Sequence, residues 1–376
     1  MPALPRLEDI YKIDFSSAGN SGRFVRTGWG VAESGFRWMT GRESRLGLQI
    51  PDPESDYMLL LDATPFLSEA ALTQQHLTVI ANGYELTACT PTGRRVLPVF
   101  MPKDVLAGER DVELVFKHPN AQRIGDFLPV SDRREVAFAV RSLRLVRFAE
   151  AAALPMPVEE APPSDQQLML LFESIGETDA FVHIQRALGV DPLGLLRGAD
   201  LPIQAAIDLL TSDFADIDNR RLLVATRSGT RRTVRHRSYG FSYDTEGDEM
   251  DAASVVEREA ARLAVGAGKL RRTLASGRKL LVFTAAEQVG DEEIIPLVVA
   301  LRDRGPNTLL WVGEADRSVA PGTVEPVLEG AFRGHVRQLR PAPDAMPDAL
   351  ADWLAVCRSA WALWDRRNEG LLALAS

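Results

Sequence analysis

The sequence is poor in cysteine and has no long hydrophobic run. Its two cysteines, Cys89 and Cys357, are far apart in the chain, which predicts buried free thiols rather than a disulfide or a metal-binding pair. No segment approaches the roughly 20 apolar residues that cross a bilayer, and the first residues lack the apolar core that a secretory signal needs. These absences predict a cytoplasmic protein that does not insert into a membrane.

The sequence also lacks motifs that bind metals or nucleotides, and it lacks the positive net charge typical of proteins that bind polyanions. No cluster of cysteine and histidine has metal-ligand spacing, and neither the G-x-x-x-x-G-K-[ST] nor the G-x-G-x-x-G phosphate-binding pattern occurs, so we expect no metal and no other cofactor. The net charge of −9 argues against broad binding to nucleic acid or to anionic membrane. A local basic cluster is interpreted as part of an exposed loop and contains Arg231, Arg232, Arg235 and Arg237.

The length and composition indicate two globular domains. With 376 residues, of which 45% are apolar, the chain is too long for one typical domain. Residues 149–164 are rich in alanine, proline and glutamate, and the prolines there remove hydrogen-bond donors that a helix or sheet would need. We therefore predict a domain over residues 1–148, a semi-extended linker over 149–164 and a second domain over 165–376.

The N-terminal half has the pattern of short strands separated by turns. Asn82-Gly83 lies between two such runs and predicts a type I′ hairpin turn, because both central positions of that turn need positive φ. Many short strands at this spacing predict an antiparallel β-sandwich that resembles a jelly roll. The predicted strands are Gly28–Val31, Phe36–Met39, Ser44–Ile50, Tyr57–Ala63, His76–Ala81, Val96–Met101, Asp111–Phe116 and Val136–Arg147.

A short stretch within this half contains the groups that a sugar site uses. Trp29 and Trp38 offer aromatic faces for the C–H surfaces of a sugar, and Glu33 and Arg37 offer hydrogen bonds to hydroxyls. The alternative is that the two tryptophans belong to the core and that Glu33 and Arg37 form a structural ion pair.

The same stretch takes part in a resemblance to a known module. Together with IANGYEL at 80–86 and the segment Ser131–Leu145, it resembles a β-sandwich module of bacterial proteins for surface-polysaccharide synthesis, which often occurs beside glycosyltransferases. The resemblance implies a glycan-associated or accessory domain, and it identifies no ligand.

The C-terminal half begins with an apolar run and continues as alternating strands and helices. Leu168–Phe172 is predicted to be a strand, followed by a turn through residues 174–176 and a helix from about Thr178. Later strand, helix and strand segments predict a βαβ unit with parallel pairing, so this half is predicted to be α/β. The remaining predicted elements are helices at Asp200–Phe214, Ala252–Ala275, Asp291–Arg304 and Met346–Arg367, and strands at Leu222–Thr226, Lys279–Thr284, Asn307–Val312 and Gly330–Leu339.

This half resembles a bacterial family of papain-like cysteine peptidases of unknown function. The resemblance lies in Phe172–Arg197, in Tyr239–Thr245 and in the KLLVFT and LRDRGPNTLLWV segments. In that family the first stretch carries a cysteine and the second a histidine, and the matching positions here are Asp179 and Asp244. Thiol catalysis needs a thiolate and an imidazole, so these replacements predict that peptidase activity has been lost.

Two other chemistries remain open for the C-terminal half. Asp179 and Asp244 could act as paired carboxylates in glycoside or metal-assisted hydrolysis, or serve only as exposed caps and ion-pair partners. Ser174 could be a nucleophile with His183 as its base, although no G-x-S-x-G elbow surrounds it.

The leading functional prediction is a non-catalytic or diverged accessory protein of bacterial cell-surface polysaccharide biosynthesis, which binds a glycan or a glycosyltransferase partner. One alternative is a hydrolase or transferase that uses Asp179 and Asp244. Another is a scaffold that contacts a glycosyltransferase without binding sugar. Glycan binding that depends on Trp29 or Trp38 would favour the first of these.

Overall fold

The computed structural model describes residues 5–68, 72–106, 108–127, 132–150, 163–190, 194–196, 198–228, 231–245, 251–285, 289–342 and 345–375. Their contacts divide them into two compact units, one formed by residues 5–150 and one by the described residues from 163 onward. Most of the predicted linker, residues 151–162, lies outside the described residues. Among the described helices, none combines the length and the apolar content that crossing a bilayer requires.

The N-terminal unit is an antiparallel β-sandwich, as predicted. One sheet has the strand order β2-β3-β11-β5-β8, with β1 and β10 also paired to β11, and the other has the order β4-β9-β6-β7. The elements are β1 (Pro5–Asp14), β2 (Trp29–Ala32), β3 (Arg37–Thr40), β4 (Glu43–Gln49), β5 (Tyr57–Pro65), β6 (Leu77–Ala81), β7 (Tyr84–Cys89), β8 (Arg95–Met101), α1 (Lys103–Leu106), β9 (Asp111–Lys117), β10 (Gln122–Arg123) and β11 (Glu135–Glu150).

Alternation along the strands places the core between the two sheets. In β4, Leu46 and Leu48 are buried whereas Arg45 and Gly47 face outward, because successive side chains of a strand point to opposite faces. The predicted hairpin turn at Asn82-Gly83 is confirmed: the φ angles are 47° and 87°, and the two residues join β6 to β7.

The C-terminal unit is α/β, which confirms the predicted class for this half. In its five-stranded sheet, ordered β12-β16-β17-β19-β18, the first four strands are parallel and β18 is antiparallel to β19. A separate antiparallel sheet is formed by β13, β14 and β15. The elements are α2 (Asp165–Leu170), β12 (Phe172–Ser174), α3 (Ala180–Ala187), α4 (Ile203–Thr211), β13 (Leu223–Ser228), β14 (Arg231–His236), β15 (Ser242–Thr245), α5 (Ala252–Ser276), β16 (Leu280–Thr284), α6 (Asp291–Arg302), β17 (Thr308–Glu314), β18 (Val324–Leu328), β19 (Ala331–Val336) and α7 (Met346–Ala375).

The predicted strand at Leu168–Phe172 is wrong for most of its length. Residues 165–170 form α2, and the strand begins only at Phe172. Ser164 and Gln167 form a capping box: the Ser164 hydroxyl accepts from the Gln167 N–H, and the Gln167 side chain accepts from the Ser164 N–H. These bonds satisfy N–H groups at the helix start and therefore favour a helix over an extended segment.

The basic segment at 231–237 was predicted to be a loop, and this prediction is also wrong. Residues 231–236 form the central strand of the three-stranded sheet. Val234 and His236 are fully buried whereas Arg235 is exposed, so the segment has the alternation of a half-buried strand.

Candidate functional site

Trp29 lies on the core side of the N-terminal sandwich. Its ring stacks on Phe15 with centroids 4.9 Å apart and meets Phe116 edge to face at 6.1 Å. The indole N–H donates to the backbone oxygen of Arg45 at 2.7 Å. Trp29 therefore supports β4 from inside the sandwich.

Trp38 faces the opposite side of its sheet. Its neighbour Met39 is fully buried in the core and pairs directly with Trp29 across β2 and β3, so the side chain of Trp38 points outward. The Trp38 ring contacts Phe36 at 5.3 Å and Phe66 at 6.0 Å, with interplanar angles of 81° and 84°. The two tryptophans lie on opposite faces of their sheet and therefore do not form one platform.

Glu33 and Arg37, the polar residues predicted to accompany the tryptophans, have separate environments. Glu33 pairs with Arg134, with 3.1 Å between its Oε1 and the Nη1 of that arginine. The Nε of Arg37 is buried without an acceptor among the described atoms. Glu33 thus forms an ion pair with Arg134. The ligand-binding role of Trp29, Glu33, Arg37 and Trp38 stays a prediction.

An open groove of about 670 Å³ runs over the outer face of the second sheet. We call it the β4–β9 groove. Its floor is the outward face of β4 and β9, and its side is the segment 23–27, which is hydrogen-bonded to β4 through Arg26 N–H to Arg45 O and Gly47 N–H to Phe24 O. Its lining includes the aromatic, charged and amide side chains of Tyr11, Phe24, Arg26, Arg45, Gln49, Asn82, Asp111 and Glu113.

Gly47 lets a guanidinium lie across the groove floor. A Cβ added at this position would be 2.8 Å from Nη2 of Arg26 and 3.2 Å from its Cζ. The Arg26 head therefore occupies the space of the missing side chain. Beside it, the Tyr11 and Phe24 rings meet edge to face at 5.3 Å and form an aromatic wall.

The rest of the groove carries donors and acceptors that are held in place by short bonds. Arg45 donates to Glu113 at 2.9 Å and to Glu43 at 2.7 Å, and these carboxylates raise the pKa of Arg45, Glu43 most. The Gln49 amide donates to Asp111 at 3.1 Å. Cationic and anionic groups are interleaved, so the groove has no field of a single sign.

Sequence reasoning did not find the β4–β9 groove. Its residues come from distant parts of the chain and meet only through strand pairing. The outward-facing Arg45 and Gln49 on β4, with a glycine between them at position 47, were its one local signal.

In the C-terminal unit, Asp179 is paired within its own helix. It occupies the N-cap of α3 without a capping hydrogen bond from its side chain, and its Oδ2 lies 2.9 Å from His183 Nε2. Both side chains are about half exposed. Ser174 is buried in β12, and the bond of His183 to Asp179 leaves the Ser174–His183 hypothesis without support.

Asp244 lies in β15 of the separate three-stranded sheet. Its Oδ1 accepts a hydrogen bond of 2.8 Å from the Thr233 hydroxyl on the paired strand β14. Asp179 thus lies at the start of α3, whereas Asp244 lies in the three-stranded sheet. Each carboxylate is hydrogen-bonded to a neighbour on its own helix or sheet.

Comparisons with known proteins concern the N-terminal sandwich. A scan against protein-family models finds no match, and neither does a search of curated proteins. Among solved structures, the sandwich is similar to the ANX2 ectodomain from Arabidopsis thaliana at 11% identity, over 38% of this chain and 50% of that chain, with a TM-score of 0.25. The chain thus spans about half the length of that plant ectodomain.

Two carbohydrate-binding modules are also similar. One is the module CBM36 in complex with calcium and xylotriose, at 8% identity over 38% of this chain and 92% of that chain, with a TM-score of 0.20. The other is a family 35 module from Clostridium thermocellum, at 6% identity over 36% and 98%, with a TM-score of 0.22. No comparison supports the papain-like resemblance of the C-terminal unit.

Proposed function

We propose that the N-terminal unit binds a glycan in the β4–β9 groove, and that the protein is an accessory protein of bacterial cell-surface polysaccharide biosynthesis. The observation that carries the proposal is the Arg26 guanidinium lying over Gly47 beside the Tyr11–Phe24 wall. This arrangement puts a fork of donors and an aromatic surface into one open groove.

The chemistry of the groove matches a polyhydroxylated ligand. Each sugar hydroxyl both donates and accepts, so it needs donors and acceptors side by side. Arg26, Gln49 and Asn82 supply donors, and Asp111 and Glu113 supply carboxylate acceptors. An aromatic wall can pack against the C–H face of a sugar ring. Interleaved charges disfavour a polyanion, which would need a basic surface.

The wider role is inferred from the sequence. A glycan held on the sandwich would let the protein act beside a glycosyltransferase, and a cytoplasmic location is part of the same proposal. Co-purification with a glycosyltransferase from the native host, together with cell fractionation, tests that role separately from sugar binding.

The sugar site is tested with a glycan array of bacterial oligosaccharides, followed by calorimetric titration of the best-bound member. Gly47→Ala should weaken binding by at least about tenfold, because the new Cβ displaces the Arg26 head and a lost charged hydrogen bond has about that effect. Gly35→Ala is the matched control, since a Cβ there meets nothing within 4 Å. It should bind like the wild type.

A Trp38→Ala variant distinguishes the groove from the predicted tryptophan site. It should bind the same sugar normally, because Trp38 lies on the outer face of the first sheet, whereas the groove lies on the second sheet. Loss of binding in Trp38→Ala with normal binding in Gly47→Ala would overturn the groove proposal and favour the tryptophan site. Absence of any array signal would contradict glycan binding altogether.

A further inference from the structure

A cavity of about 200 Å³ lies at the carboxyl ends of the parallel strands in the C-terminal unit. Thr178 follows β12, Ala285 directly follows β16, and Glu314 is the last residue of β17; all three line the cavity. In open α/β sheets this edge is where ligands bind, because loops and strand ends converge there. The cavity is independent of the β4–β9 groove and of the glycan proposal.

Two arginines, one within β19 and one after it, line this cavity. Arg333 on β19 is fixed by two contacts: its Nη1 lies 3.2 Å from Asp291 Oδ1, and its Cζ lies 4.6 Å from the ring centroid of Trp311. Arg340 follows β19 and is exposed. The guanidinium of Arg333 is therefore preorganised, whereas that of Arg340 is free to adjust to a ligand.

Glu314, the acidic residue in the cavity lining, holds a backbone segment in place. Glu314 Oε1 accepts the backbone N–H of Leu339 at 2.9 Å. This bond ties down the segment just before Arg340 and so positions that arginine at the cavity. Part of the negative charge of Glu314 is thereby offset by a backbone donor.

The cavity lining also includes a threonine and apolar side chains. The Thr178 hydroxyl lies 2.8 Å from the Thr284 hydroxyl and is buried. Val289, Leu339 and the Trp311 ring supply apolar surface. Two arginines and apolar side chains in one lining suit a ligand with one charged end and a small body.

We propose that this cavity binds a small molecule bearing an oxyanion, a phosphate or a carboxylate. A guanidinium group binds either anion through paired hydrogen bonds, and the side chains of Arg333 and Arg340 provide two such groups. The volume is below the roughly 300–1,000 Å³ of pockets for drug-sized ligands, so the ligand is of small-metabolite size. This assignment differs from the hydrolytic use of Asp179 and Asp244, since it needs neither carboxylate.

The probes are inorganic phosphate and acetate, each titrated into the full chain by calorimetry and by tryptophan fluorescence at constant ionic strength set with chloride. Trp311 lines the cavity, so bound anion should change its emission, and Trp311→Phe should remove that change. Arg340→Gln should weaken binding of the preferred anion by about tenfold, as expected for the loss of one charge-assisted contact. Comparing the two anions shows which oxyanion is preferred.

Arg337→Gln is the matched control. Arg337 directly follows β19, three residues before Arg340, but its guanidinium pairs with Asp348 and Asp352 of α7 and it does not line the cavity. It should bind the anion like the wild type. An equal loss in both variants would show general charge attraction and overturn the proposal, as would absence of binding of either anion at millimolar concentration. The Gly47→Ala variant should bind the anion normally, so failure here is separable from failure of the sugar site.

Discussion

His118 is a buried titratable group that holds part of the N-terminal core. It is fully buried, and its Nε2 lies 2.9 Å from the Ser44 hydroxyl, which in turn donates to the Gly28 oxygen. Its Nδ1 has no partner among the described atoms. Burial lowers the pKa of His118 to about 4 from its usual 6.5, since a charged imidazolium would lose its hydration.

We predict that acid destabilises the N-terminal unit through His118. Between about pH 6.5 and pH 4 the unfolded chain binds a proton at His118 that the folded chain does not. The contribution of this histidine to the free energy of unfolding is therefore fully present above this range and falls as the pH is lowered through it. The loss attributable to this histidine should reach roughly 3 kcal/mol at pH 4.

The measurement is urea unfolding of the wild type and of His118→Gln at a series of pH values from 7 to 4. The free energy of unfolding should fall more steeply with acid in the wild type than in the variant. His236, whose pKa is also lowered by burial, is present in both proteins, so the difference isolates His118. Parallel pH dependences would contradict the prediction.

At single residues, the sequence could supply chemical character but not the face of the sheet. Trp29 and Trp38 were grouped because they are close in the chain. The register between β2 and β3, which contains an irregularity, places them on opposite faces. The groove residues Arg26 and Gly47 have no local motif, since their contact exists only after the segment 23–27 pairs with β4.

Whole elements were predictable where one physical signal dominated. The buried runs of β16 and β17 predicted a βαβ unit, and the Asn-Gly pair predicted the β6–β7 turn. Strand β1 was missed because its outward residues are charged and pair across to β11, as Asp9 does with Arg144 and Glu8 with Arg147. Such cross-strand pairing is invisible until both strands are placed.

The hairpin turn allows a test at the scale of one element. Gly83 has φ +87° and Gly93 does not have positive φ, whereas a Cβ at either position would meet nothing within 4 Å. Gly83→Ala should therefore lower the free energy of unfolding by about 1–2 kcal/mol, the cost of a left-handed conformation for a residue with a Cβ.

Gly93→Ala is the control for this pair and should be neutral or slightly stabilising, because it restricts only the unfolded chain. Thermal and urea unfolding of both variants make the comparison. Equal effects at the two glycines would mean that the turn conformation is not the cause.

At the scale of the molecule, each unit has its own core and its own cysteine. Cys357 is fully buried in the cluster between α7 and the five-stranded sheet, and burial raises the pKa of its thiol. Cys89 is half-buried at the edge of the sandwich core, where burial also raises its pKa. A thiol reagent can thus report on the two units separately.

We predict that Ellman's reagent modifies Cys89 in the native protein and Cys357 only when the C-terminal unit opens, with Cys89→Ser removing the early reaction.

Gly176→Ala should lower the urea concentration at which Cys357 becomes reactive. The added Cβ would lie 2.3 Å from the backbone nitrogen of Thr284, and backbone cannot move aside as the end of a flexible side chain can. The cost should be about 1–3 kcal/mol, as for other overpacked sites. Gly83→Ala should leave the Cys357 midpoint unchanged, since separate cores unfold as separate units. A shift of the Cys357 midpoint in Gly83→Ala would instead mean that the two units unfold as one.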